Sequence, residues 1–118
     1  MAKKHNKNLI AAFNKVVDEC KETICSLIAP GESVDIPFTE EDTEEMDTSD
    51  NLSVMVEGRH NNFYLSIKTV SRDKKGNICL TGRDEDNWKD YDKPADWYIF
   101  GEGWPYIAEA VKRAKNAA

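Results

Sequence analysis

Leu9, Ile10, Phe13, Val16, Val17, Cys20, Ile24, Leu27 and Ile28 recur at three- and four-residue steps. At 100° per residue they share one arc about 120° wide, so the spacing predicts an amphipathic helix with a single face to bury. Pro30 keeps its predecessor out of the α conformation and Gly31 lets the chain turn away. The helix is therefore expected to stop near Ala29, after roughly 20 residues or about 30 Å. Burying its apolar arc is worth roughly 1.5–3 kcal/mol per large side chain, so this helix is expected to supply half of a core. Lys3, Lys4 and Lys7 stand where the positive end of the helix dipole disfavours cations, so residues 1–7 are expected to form a mobile tail.

The segment after the helix changes period from 3.6 to 2. Val34, Ile36 and Phe38 alternate with polar or small residues, and Leu52, Val54 and Val56 alternate with Ser53, Met55 and Glu57. Residues 59–62 read as a turn. Phe63, Leu65 and Ile67 then take one face and Tyr64, Ser66 and Lys68 the other, until Asp73-Lys74-Lys75-Gly76-Asn77 supplies a tight reversal. Ile78 and Leu80 return to the inward face, with Cys79 and Thr81 outward. A long polar stretch over 82–96 contains Trp88 and Tyr91, and a last strand is expected over about 97–101. Pro105 suits the first turn of a closing helix that groups Trp104, Ile107, Ala108, Val111 and Ala114 on one side. Short links between consecutive strands require antiparallel neighbours. The expected fold class is therefore α+β: a long N-terminal helix packed on a four- to five-stranded antiparallel meander, followed by a short C-terminal helix. Residues 8–116 form one domain, with an acidic loop at about 39–51.

A chain of 118 residues is long enough to build one core without covalent staples. The formal net charge of -6 repels phosphate backbones on average, so direct nucleic-acid binding is not expected. No apolar run approaches the roughly 20 residues that cross a bilayer, and no apolar leader opens the sequence, so a cytoplasmic, membrane-independent protein is expected. Cys20, Cys25 and Cys79 make an odd count that does not suggest a disulfide framework. Cys20 falls inside the apolar arc and Cys25 past its edge. Together with His60 the three thiols lack the short CxxC knuckle of a zinc site, and no metal or other cofactor is expected.

From Glu32 through Glu57 there are ten carboxylates and no Lys, Arg or His. Glu40, Glu41, Asp42, Glu44, Glu45, Asp47 and Asp50 are the densest part, and they read either as a solvated loop or as a docking surface for a basic partner. Mimicry of a nucleic acid is a further alternative, although seven carboxylates spread over up to about 35 Å are sparser than DNA phosphates. Asp84, Asp86, Asp90 and Asp92 take alternate calcium-loop positions. Trp88, Lys89 and Ala95 then occupy places that need a ligand, a glycine and a bidentate acid, so the calcium pattern fails. The alternative is a polar loop pinned by its aromatics.

If the helix covers the inward face, then Met55, Tyr64, Val70, Tyr98 and Phe100, with Cys79, point the other way. A solvent face that apolar marks an interface, unless the C-terminal helix or the 82–96 loop covers it. Neither His5 nor His60 sits in a nucleophile motif, and Gly101 and Gly103 do not make a phosphate-cradling loop, so no catalytic residue is nominated. The sequence thus points to a non-enzymatic accessory or regulatory protein that binds a protein partner or forms a homo-oligomer. The alternative is a small-ligand or enzymatic domain with Trp88, Tyr91, Trp97 and Trp104 as pocket wall.

Overall fold

The computed structural model describes residues 2–36 and 52–117, with side chains over 13–36 and 52–116. The order is α1 (Ala2–Leu27), β1 (Ser33–Asp35), β2 (Ser53–Val56), β3 (Phe63–Arg72), β4 (Ile78–Asp84), β5 (Lys89–Ala95), a 3-10 turn (Gly101–Gly103) and α2 (Trp104–Ala117). Five antiparallel strands and two helices make an α+β fold. No described helix is long and apolar enough to cross a membrane.

Strand β3 organises the sheet. One of its edges pairs with β4 along nearly its whole length, and the other is shared end to end by β2 (Val54 opposite Leu65) and β1 (Val34 opposite Val70). The expected simple meander therefore holds only from β2 to β5, because β1 skips its sequence neighbour and joins β3 directly. The chain leaves this edge at Ile36, whose N–H donates to the Lys68 carbonyl, and returns at Leu52, whose carbonyl accepts from Ile67. The acidic residues Glu40, Glu41, Asp42, Glu44, Glu45, Asp47 and Asp50 lie outside the described residues.

A bulge interrupts the β3–β4 ladder between Ile67 and Thr69. An extra residue reverses the side-chain alternation beyond it, because strand residues point to opposite faces in turn. Phe63, Leu65 and Ile67 face inward as expected, but Val70 also turns inward and is fully buried. The expectation that Val70 belongs to the outward face is corrected by this bulge.

Two further corrections concern the second half of the sheet. Residues 89–95, expected to be loop, form edge strand β5. Its alternating charges blunt the edge, and Pro94, which has no N–H, lies within the register shift opposite β4. The expected last strand over 97–101 is reduced to a bridge, with Ile99 opposite Val56. Because β5 pairs with β4 while residues 98–100 pair with β2, the sheet rolls toward a barrel. Inside the roll Phe63, Tyr91 and Trp97 pack ring on ring, with centroids 4.7–6.2 Å apart, and the Trp97 indole donates to the Leu80 carbonyl.

Both helices pack on the inward face. Ile24 and Ile28 join Ile107, Ala108 and Val111 of α2 over Val54, Val56, Leu65, Ile67, Val70 and Leu80. α1 spans 26 residues, Ala2–Leu27, with side chains described from Phe13 onward. Among the described side chains of its apolar arc, Ile24 and Ile28 are fully buried, whereas Phe13 and Val16 remain 45% and 44% exposed. The tail expected over 1–7 falls on side chains outside the described ones. Arg72 closes the other end of α1. Its guanidinium donates to the Cys25 and Ile28 carbonyls and to the Gly76 carbonyl, satisfying helix-terminal acceptors while binding the β3–β4 turn to the helix.

Candidate interaction surface

Antiparallel pairing sets Met55 of β2 directly opposite Tyr64 of β3. On the other side of β2, the Phe100 N–H donates to the Met55 carbonyl at 3.2 Å and the Glu57 N–H to the Tyr98 carbonyl at 3.0 Å. With Ile99 and Val56 buried inside, alternation places Tyr98, Phe100, Met55, Glu57 and Tyr64 together on the outward face. Tyr98 and Phe100 meet edge to face, 6.3 Å between centroids. Tyr64 and Tyr98 are 48% and 66% exposed, and Met55 and Phe100 are half-buried. Four of the five residues nominated for an outward interface thus form one band across the strands, and Val70 is the exception.

Carboxylates border the band. Glu57 lies beside Tyr98, the Glu85 carboxylate accepts from the Ser53 hydroxyl at 3.3 Å, and the Asp86 carboxylate accepts the Tyr64 N–H at 3.2 Å. Beyond the bulge the same face turns small and polar. The Thr69 and Thr81 hydroxyls share a hydrogen bond, Ser71 donates to the Cys79 carbonyl, and Lys68 and Arg83 both lean on Asp90. Burial pushes the Cys79 thiol up from its ordinary value, and burial, then Glu19, does the same to Cys20. Both are thereby disfavoured as nucleophiles.

The four nominated pocket aromatics separate. Trp97 and Trp104 line an open groove of about 450 Å³ with Lys21, Cys25 and Asn77, and the Lys21 ammonium lies 4.8 Å from the Trp104 ring. Tyr91 is taken up in the internal ring stack. Trp88 stands at the tip of the β4–β5 hairpin, 73% exposed, with Arg83 over its ring and a left-handed φ of 57°. Of the aspartates of this hairpin, Asp84 holds the turn. Asp84, nearly fully buried, accepts from the Asp86 and Asn87 N–H groups and the Asn87 amide. Among the described residues, no three His, Cys, Asp or Glu side chains gather where they could hold a metal ion. His60 is exposed in the β2–β3 turn.

Sequence reasoning missed Phe13 and Val16 as surface residues, because a helical wheel shows which side is apolar but not how far a neighbour extends along it. Comparison with known protein families, curated proteins and solved structures finds no match to this chain.

Proposed function

We propose that this protein is a small non-enzymatic accessory or regulatory module that binds another protein chain through the Met55–Tyr64–Tyr98–Phe100 band, with the acidic segment around Glu40 to Asp50 tuning partner choice. The observation that supports this reading is the exposure of Tyr64 and Tyr98 along the β2–β3 and β2–Tyr98 pairings, on the side opposite the buried Val54, Val56, Leu65 and Ile99. Aromatic and Met side chains are the types enriched at protein interfaces, and the acidic border favours a basic approach. Replacing Tyr98, Tyr64 or the remote exposed Lys74 with a photo-crosslinking amino acid in the native cell tests it. Protein adducts at Tyr98 and Tyr64 but not at Lys74 are expected; a band that yields none overturns the reading.

The Trp97–Trp104 groove favours a second reading, a small-ligand site with Lys21 for an anionic group. A small-molecule library screened by NMR should then shift the Trp97 and Trp104 indole signals without shifting Tyr64.

A further inference from the structure

Two grooves meet beside the segment 96–101, and they share Lys21, Trp97, Tyr98 and Trp104. One, of about 450 Å³, reaches Cys25 and Asn77, and the other, of about 350 Å³, reaches Phe13, Val17 and Gly101. Along α1 the trough they form runs from Phe13 to Cys25, about 18 Å at the helical rise. Its opposite wall is main chain. The Glu57 N–H donates to the Tyr98 carbonyl and the Phe100 N–H to the Met55 carbonyl, so Ile99, opposite Val56, is the non-bonded member of the antiparallel ladder. Its own N–H and C=O therefore turn away from β2, on the side where Ile99 lines the groove with Phe13 and Val17. The Ile99 side chain goes inward instead, to Val54 and Gly103. Trp97, one alternation earlier, shares this edge. Among the described residues neither main chain makes a hydrogen bond, although Ile99 is only 6% exposed. Main-chain groups so little exposed are nearly always paired in folded proteins, because water cannot replace the missing bond. Charge marks the trough as well. Lys21, at its middle, lies 4.8 Å from the Trp104 ring and makes no ion pair among the described residues. Asp96, at the Asn77 end, is the other charged side chain among the described residues that line it.

An unpaired strand edge beside a helix is complementary to an extended main chain, which supplies a donor and an acceptor at every second residue. A small molecule has no such repeat. We propose that the trough binds an extended peptide of a partner protein as an added strand on the Trp97–Ile99 edge, seated between that edge and α1. At about 3.3 Å per residue the trough takes about five residues of it. An acidic side chain of the peptide meets Lys21, an apolar one lies against Phe13 and Val17, and the Asn77 end, with Asp96, takes a basic or uncharged residue. This inference rests on the second reading, of the groove as a ligand site, and it names a peptide main chain as the ligand.

Random peptides of about ten residues, twice the length of the trough, displayed on phage and panned on the full chain are the probe. Enriched sequences should share an acidic residue, and a synthetic peptide of the commonest sequence should slow hydrogen exchange at the Ile99 amide without shifting Tyr64 in NMR spectra. Methylating the backbone nitrogens of that peptide one at a time should weaken binding at least about tenfold at alternate positions of the bound stretch and little at those between, because a strand bonds its neighbour at every second residue. Lys21→Gln should weaken binding about three- to fivefold, and it should have no effect on a peptide whose acid is replaced by the amide. A urea midpoint like that of wild type certifies the fold of Lys21→Gln. A library that enriches nothing, or a methylation profile without the two-residue period, overturns peptide docking. If small molecules then still shift the Trp97 and Trp104 indoles, the groove keeps its reading as a ligand site; silence there removes both. Binding indifferent to Lys21→Gln overturns the placement of the acid.

Discussion

Strand β3 runs as one ladder through two regions built on different terms. Its second half, beyond the bulge, is fastened on every side: Val70 and Leu80 are buried, Arg72 grips the end of α1, and Glu32 reaches Lys115 of α2 at 3.4 Å. The outward side there is Ser, Thr and Cys, small enough to be covered by neighbours. Its first half carries an equally buried interior at Leu65 but a Met and aromatic exterior at Met55, Tyr64, Tyr98 and Phe100. One backbone ladder thus supports both a region whose side chains are buried on either face and a region whose outward apolar side chains stay partly exposed.

The contrast can be broken most directly by truncation. Leu80→Ala should cost about 2–5 kcal/mol by urea unfolding, whereas Tyr64→Ser should stay within about 0.5 kcal/mol of wild type. Equal losses would mean that the aromatic exterior is part of the core. Arg72→Met should cost about 1.5–3 kcal/mol, because three backbone carbonyls lose a charged donor. Hydrogen exchange should localise that damage to the end of α1 and the 73–77 turn, leaving β2 protected.

Trp88 sharpens the comparison from the aromatic end. A bulky residue in the left-handed region is strained, and Asn adopts it more readily, so Trp88→Asn should raise stability by about 0.5–1 kcal/mol. A loss of similar size would show instead that the Trp88 ring, stacked on Arg83, holds the hairpin. The smallest effect concerns acid. The Ala29 N–H, then Lys115, lowers the Glu32 carboxyl below its ordinary value, and the Asn77 N–H chiefly does so for Asp73. Carboxyls lowered in the folded state add stability that is complete above the ordinary carboxylate range and is lost as pH falls through the lowered values. Between about pH 5 and pH 2.5 the urea midpoint should fall, and less steeply in Asp73→Asn. An unchanged slope would remove Asp73 from the fastened end.

Much of this arrangement was written in local patterns. The period of the α1 residues, the stop at Pro30-Gly31, the alternation in β2 and early β3, and the 73–77 reversal with Gly76 at a φ of 93° all follow from short-range sterics and solvent preference. So did the outward placement of Met55, Tyr64, Tyr98 and Phe100, because two-residue alternation survives any choice of partner strand. Strand β5 was illegible: Lys89-Asp90-Tyr91-Asp92-Lys93-Pro94-Ala95 has no apolar alternation, and it is held by pairing along β4 and by the single ring of Tyr91 against Phe63 and Trp97.

Sequence alone thus determined the two helices, the strands from β1 to β4 in their order and the two-faced character of the sheet, since these depend on residues a few positions apart. Tertiary structure decided which strand lies beside which, that Val70 turns inward, that Trp97 and Trp104 line one groove while Trp88 stands apart, and that Phe13 stays partly exposed. Each of those outcomes depends on a long-range pairing or a one-residue bulge. Such a bulge leaves local propensities nearly unchanged, yet it reverses the face of every residue beyond it.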